Sequence, residues 1–309
     1  MYFGKEEVNF TDNLDLFARQ VVEGFLTGMH KSPYHGFSVE FAEHRLYNRG
    51  DSLKNIDWKL FARSDKLFVK KFEEETNLRS YILIDTSSSM LYPTHSSNTK
   101  ALNKLTFSLY ASACLLNLFQ KQRDGFGLTF YSNQLDFFSP AKNTKSHYNR
   151  LISELDKMLK KSNYRESKST NFSSTIASFI EKIPKRSLII VFSDMLNFED
   201  KSHEDFFEPF KHLKYRKNEI ILFHVQDLNQ EKLFDFTNQP YEFNDLENNE
   251  KVKLNPSNYK DEYLNLYDKF QKKIELNCHK YKIEYVPAFI QDGFTNVLLS
   301  YLLKRSKIF

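Results

Sequence analysis

From residue 81 onward, continuous apolar runs alternate with amphipathic stretches. The runs are "YILID" (81–85), "GFGLTFY" (125–131), "SLIIVFSD" (187–194), "EIILFHVQD" (219–227) and "KIEYVPAF" (282–289). A strand that is apolar on both faces needs cover on both, which predicts a parallel sheet wrapped by helices. The helical spacing between the runs predicts helices over 98–122, 144–161, 173–183, 202–215, 257–280 and 293–305. "QLDFFSP" follows the second run after the pair Ser132-Asn133, which predicts an antiparallel edge hairpin. "YEFNDLENNEKVKLNP" reads as an inserted β-hairpin at about 240–256. The fold class expected is therefore α/β, doubly wound and mostly parallel, of the Rossmann type.

Ahead of this pattern the chain reads differently. Residues 12–29 carry apolar positions at helical spacing behind an Asp12 or Asn13 cap. "FSVEFA" and "KLFVKKFEE" read as short strands. We expect residues 1–80 to form an N-terminal helix-plus-strand extension packed on a core formed by residues 81–309.

Composition narrows the classes little but usefully. The 44 basic and 40 acidic residues are interleaved and leave a net charge of +4, so no nucleic-acid-binding stripe is expected. Cys114 and Cys278 fall in helix-like stretches without metal-ligand spacing, which does not indicate a disulfide framework. The N-terminus lacks a basic segment leading into an apolar one, and no apolar run reaches the ~20 residues of a spanning helix. The expectation is a cytoplasmic protein without membrane insertion.

The chemistry collects at two strand ends. In a doubly wound sheet, ligands bind outside the carboxyl ends of the strands where strand order reverses. Asp85 ends the first run and Asp194 the third; if these strands are neighbours, both carboxylates face one crevice. Ser87 and Ser89 follow Asp85 at alternate positions, and Thr170 precedes a predicted helix. Two carboxylates and three hydroxyls make an all-oxygen set, which suits a hard divalent ion, Mg2+ or alternatively Mn2+ or Ca2+. An ion held mainly by neutral hydroxyls keeps enough charge to seek an anionic ligand from outside.

Asp85-x-Ser87-x-Ser89 followed by Thr170 and Asp194 resembles the metal-ion-dependent adhesion site of von Willebrand factor A-type domains. The upstream segment, with Arg45, Tyr47, Gly50, Asp51, Asp57, Trp58, Ala62 and Arg63, resembles a more specific group. This is a bacterial von Willebrand factor A-like family carrying a domain of unknown function, number fifty-eight, associated with MoxR-type AAA+ ATPases. The resemblance runs from about Gly36 to the C-terminus, and its one local departure is Ser169 where a glycine often precedes the threonine.

The resemblance implies a metal site formed by Asp85, Ser87, Ser89, Thr170 and Asp194. It also implies a MoxR-type AAA+ ATPase as partner, in protein assembly or activation. The expected function is a non-enzymatic interaction module whose ion captures a carboxylate of the partner. Arg45, Arg49, Asp51, Asp57, Trp58 and Arg63 form either a buried network that fastens the extension or a docking surface for the partner. The alternative is a metal-dependent phosphoesterase using Asp85 and Asp194, for which no general base can be named. A haloacid dehalogenase-type phosphatase would need an acid at position 87, where Ser87 stands, and no GxxxxGK[ST] nucleotide cradle is present.

Overall fold

The structure is a computed structural model that describes residues 13–30, 44–46, 63, 67–70, 78–93, 102–161, 172–196, 203–246 and 250–308. The chain divides into two compact units, Met1–Glu23 with Leu78–Phe309, and Gly24–Asn77.

The larger unit holds a six-stranded sheet. Its strands are β3 (Arg79–Asp85), β4 (Gly125–Tyr131), β5 (Leu135–Lys142), β6 (Leu188–Ser193), β7 (Glu219–Gln226) and β10 (Glu284–Phe289). Their order is β10-β7-β6-β3-β4-β5. Every pairing is parallel except that of β5, which returns antiparallel beside β4 as the predicted edge hairpin. The chain steps from β3 outward to β4 and β5, then crosses back to place β6 on the other side of β3. That reversal puts the switch point between β3 and β6.

Burial explains why the apolar runs become central strands. All of β4 and β6 is buried, as are all but the first residue of β3 and of β7. The helices Phe172–Lys182 (α4), His203–Tyr215 (α5) and Lys260–Lys280 (α6) cover one face. There Phe179, Phe207, Phe210, Phe270 and Ile274 pack with Tyr81, Leu83, Val191 and Leu222. The opposite face carries Lys104–Lys121 (α2) and Lys145–Lys161 (α3), seen in Phe119 against Phe126 and Tyr148 edge-on to Phe126.

The helix α2 is buried almost all round, the expected state of a helix with apolar residues on every face. The first part of the N-terminal helix Leu14–His30 (α1) and the last helix Thr295–Ile308 (α7) pack against it. Phe17 meets Tyr110 at 4.6 Å and Phe294 at 5.5 Å, both edge-on. The start of α2 differs from the predicted residue 98. Asn103 accepts from the Thr106 N–H at 2.7 Å, and Thr106 Oγ1 accepts from the Asn103 N–H at 2.9 Å. This capping box fixes Lys104 as the first helical residue.

The inserted hairpin is present, with Tyr241–Asn244 (β8) antiparallel to Lys251–Leu254 (β9). In the smaller unit His44–Leu46 (β1) pairs antiparallel with Phe68–Lys70 (β2), which lies inside the predicted "KLFVKKFEE" strand. The strand β1 was not predicted, being three residues long and without alternation; "FSVEFA" lies outside the described residues. Cys114 and Cys278 are both free and buried within helices. No described helix is long and apolar enough to cross a membrane.

Candidate functional site

The loop after β3 is built by short-range hydrogen bonds. Ser88–Leu91 forms one 3-10 turn, closed by the Met90 N–H donating to the Ser87 carbonyl at 3.2 Å. The turn brings alternate hydroxyls together: Ser87 Oγ and Ser89 Oγ lie 3.0 Å apart, both buried. Thr86 instead turns toward β4, donating through Oγ1 to the Tyr131 carbonyl at 2.9 Å.

Asp85 sits beneath this turn and is 2% exposed. Its Oδ1 accepts from the Ser87 N–H at 3.0 Å, and its Oδ2 accepts from the Ser193 hydroxyl at 2.9 Å. Burial, and after it the Asp194 carboxylate, push the Asp85 acid up to about 6, against the hydrogen bonds that favour its ionised form. Asp194 follows β6, the neighbour of β3, so the condition for a shared crevice is met. Met195, next in sequence, adopts φ +58°, a left-handed conformation costly for a side chain of this size. Its N–H donates to Ser193 Oγ at 3.1 Å, which pins the turn that presents Asp194.

A residue from α2 enters this crevice. Lys104 is fully buried, with Nζ 2.7 Å from Asp194 Oδ2 and 2.7 Å from Glu231 Oε1. Burial works against its charge, yet the Asp194 and Glu231 carboxylates outweigh it and hold the ammonium above its ordinary range. Glu231 lies in the π-helical turn Leu228–Lys232 after β7, where its Oε2 accepts from the Asp227 N–H at 2.7 Å. His224 of β7 contacts the Asp194 carbonyl through Nε2 at 2.9 Å and the Tyr285 hydroxyl through Nδ1 at 2.8 Å. Burial pushes it down to about 4, so it is neutral. Beside Asp194 and Glu231 opens a cavity of about 260 Å3 walled by Tyr263, Tyr267 and Phe270, with Leu266 exposed at its rim.

The structure thus brings Asp85, Ser87, Ser89 and Asp194 to one strand-end crevice; Thr170 and Ser169 lie outside the described residues. Arg45 is on β1 opposite Val69, and Arg63 is exposed. Arg49, Asp51, Asp57 and Trp58 lie outside the described residues. Sequence reasoning missed Lys104, Ser193 and Glu231. The "SD" pair closing the third run was a usable signal for Ser193, as was, for Lys104, a lysine opening a helix with no further charge before Lys121.

The donor set bears on whether Mg2+ fits. Oxygens adjacent around an octahedral Mg2+ at about 2.1 Å stand about 3 Å apart. The two serine hydroxyls are 3.0 Å apart, which equally suits the hydrogen bond between them. Their hydroxyls and the charge crowding at Asp85 suit a hard cation. Asp194, by contrast, already has an ammonium. Among the described residues no group of three or more His, Cys, Asp or Glu side chains is placed to hold a metal ion.

The fold and crevice define the class: an α/β protein with a Rossmann-like, mostly parallel sheet and an acid-and-hydroxyl site at its switch point. The chain belongs to the family described as protein of unknown function DUF58, which matches residues 43–272. Uncharacterized proteins of Mycobacterium bovis and Mycobacterium tuberculosis are each 24% identical over 139 residues, 45% of this chain. That match spans 42% of the relatives' own length.

Among solved structures, the conserved hypothetical protein BatB of Bacteroides thetaiotaomicron is 12% identical, with a TM-score of 0.45 over 75% of this chain and 98% of that one. An aerotolerance-related membrane protein of Bacteroides fragilis is 12% identical, with a TM-score of 0.41 over 74% and 99%. An uncharacterized membrane spanning protein of Vibrio fischeri is 16% identical, with a TM-score of 0.20 over 74% and 98%. Two of these three are named as membrane proteins, and the expected cytoplasmic location is not assigned to this chain. That no described helix is long and apolar enough to cross a membrane does not locate the chain.

Proposed function

We propose that this chain is a non-enzymatic interaction module of the von Willebrand factor A type. In this reading Ser87, Ser89 and Thr170, with Asp85 and Asp194, hold Mg2+, and the ion binds a carboxylate of a partner protein. The observation that carries the reading is the Ser87–Ser89 hydroxyl pair, 3.0 Å apart above a buried Asp85 at the switch point. A bound ion would supply an electrophilic position for an anionic ligand and offset the charge crowding of Asp85 and Asp194. The family resemblance makes a MoxR-type AAA+ ATPase the first partner to try.

The phosphoesterase alternative is less well supported. His224 is neutral and engaged at both ring nitrogens, and both carboxylate oxygens of Glu231 already accept hydrogen bonds. Neither is poised as a general base.

Calorimetry with Mg2+ on the wild type, Ser89→Ala and Asp85→Ala tests the site. Binding by the wild type that both variants lose supports it; equal binding by all three would overturn it. Capture of a MoxR-type ATPase with and without EDTA then tests the partner, and capture that EDTA leaves unchanged speaks against docking through the ion. Turnover of phosphate esters that Asp194→Ala loses would favour the alternative.

A further inference from the structure

We propose that Lys104 is a built-in counter-cation that competes with the divalent ion for Asp194, and so sets how tightly the crevice holds metal. This rests on the metal-site reading above. A lysine on a protein surface could not play such a part, because its flexible stem would let the ammonium move to water. Lys104 is 0% exposed and is fixed from several directions. The Asn103–Thr106 capping box places it at the first position of α2. The Tyr92 ring lies beneath the ammonium, 5.8 Å from centroid to Nζ, and the Tyr92 hydroxyl donates to Gln230 Oε1 at 2.6 Å. Glu231, its second partner, is held through its own carbonyl, which accepts from the Tyr263 hydroxyl at 2.7 Å.

The consequence is specific to Asp194. Its Oδ2 accepts from Lys104 at 2.7 Å and its Oδ1 from the Leu196 N–H at 3.3 Å, so each oxygen that could face an ion already has a donor. An ion entering the crevice must share Asp194 with an ammonium that cannot reach water. Two positive charges near one carboxylate repel through a low-dielectric interior, where the interaction is far stronger than in water. Removing the ammonium frees Oδ2 and removes the repulsion; both changes act to tighten metal binding.

Removing it also leaves the buried Asp194 and the partly buried Glu231 without their shared counter-ion, which is destabilising, so two variants are needed. Lys104→Met keeps the length of the stem. Lys104→Met with Glu231→Gln keeps the formal charge of Lys104, Asp194 and Glu231 together at the wild-type value of −1 and spares the fold. Mg2+ affinity is measured by calorimetry, with thermal midpoint against Mg2+ concentration as the second readout. Both variants are expected to bind Mg2+ at least tenfold more tightly than the wild type. A double variant that binds no more tightly than the wild type overturns the competition for Asp194 while leaving the metal site standing. If neither the wild type nor any variant binds Mg2+, the metal site and this inference fall together.

Discussion

The Ser193 hydroxyl donates to Asp85 Oδ2 at 2.9 Å, tying the carboxylate at the end of β3 to the neighbouring strand β6. The same hydroxyl oxygen accepts from the Met195 N–H at 3.1 Å. One small side chain therefore orients Asp85 and holds the turn that presents Asp194.

Ser193→Ala should for that reason cost more than an ordinary hydroxyl deletion. It removes a hydrogen bond to a buried acid and leaves a buried N–H without its partner. Hydrogen bonds to charged groups contribute about 1.5–3 kcal/mol, and chemical denaturation at pH 7 should show a loss of that order. A variant as stable as the wild type would mean that the Met195 N–H finds another acceptor and that Ser193 has no part in orienting Asp85.

The strand β4 offers a sharper contrast. A Cβ at Gly127 would stand 2.6 Å from the Ser139 carbonyl oxygen and 2.7 Å from the Tyr81 ring. At Gly125, on the same strand, the nearest atom would be the Leu78 carbonyl oxygen at 3.7 Å, an ordinary contact. Gly127→Ala should lose about 1–3 kcal/mol or more through overpacking, whereas Gly125→Ala should be neutral or stabilise by up to about 1 kcal/mol. Paired urea melts check this; equal losses at the two positions would refute the packing argument.

These examples also show what could be read in advance. The central strands announce themselves because both faces are buried, so each reads as an unbroken apolar run, and their ends placed Asp85 and Asp194. The loop from Asp85 to Ser89 is local, and alternate serines were enough to suggest convergence. Lys104, Ser193 and Glu231 acquire their roles through contacts across 90, 108 and 127 positions of chain. No local pattern encodes a partner that far away. The start of α2 was misplaced for a different reason: the box that sets it pairs Asn103 with Thr106, where the recognisable pattern has Glu or Gln at the fourth position.

Acid should destabilise the protein in part through His147. This residue is 6% exposed, and its Nε2 lies 3.0 Å from the Phe126 carbonyl oxygen, to which the neutral ring donates. Burial, and then the Lys142 and Arg150 charges, lower its proton affinity below the ordinary 6.5, although the Phe126 bond works the other way. The unfolded chain therefore takes up a proton near pH 6.5 that the folded state refuses. Stability is full above that pH and falls as pH drops through it, with a slope of at most about 1.4 kcal/mol per pH unit for one proton. Denaturation of the wild type and His147→Gln at pH 7.5 and pH 5 should show a smaller acid loss in the variant. An unchanged or larger loss would mean that His147 accepts its proton in the folded state.

The N-terminal helix provides the last test, because its first half belongs with the sheet unit although some fifty residues of chain separate them. Phe17 is 1% exposed between Tyr110 of α2 and Phe294 just ahead of α7, while Leu16 beside it is 46% exposed. Tyr148 of α3 also donates to Asp15 Oδ1 at 2.6 Å, so the same turn is held by a polar contact. Phe17→Ala removes a buried ring from between two helices and should cost about 3–5 kcal/mol. Leu16→Ala should change stability by less than about 0.5 kcal/mol. The comparison separates two ways in which the helix could matter. If the helix were only laid on the surface, the two substitutions would cost alike and the sheet would melt at its own temperature in both. If it completes the core over α2, Phe17→Ala lowers the single cooperative transition of the sheet unit, followed by near-ultraviolet circular dichroism, and Leu16→Ala leaves it in place.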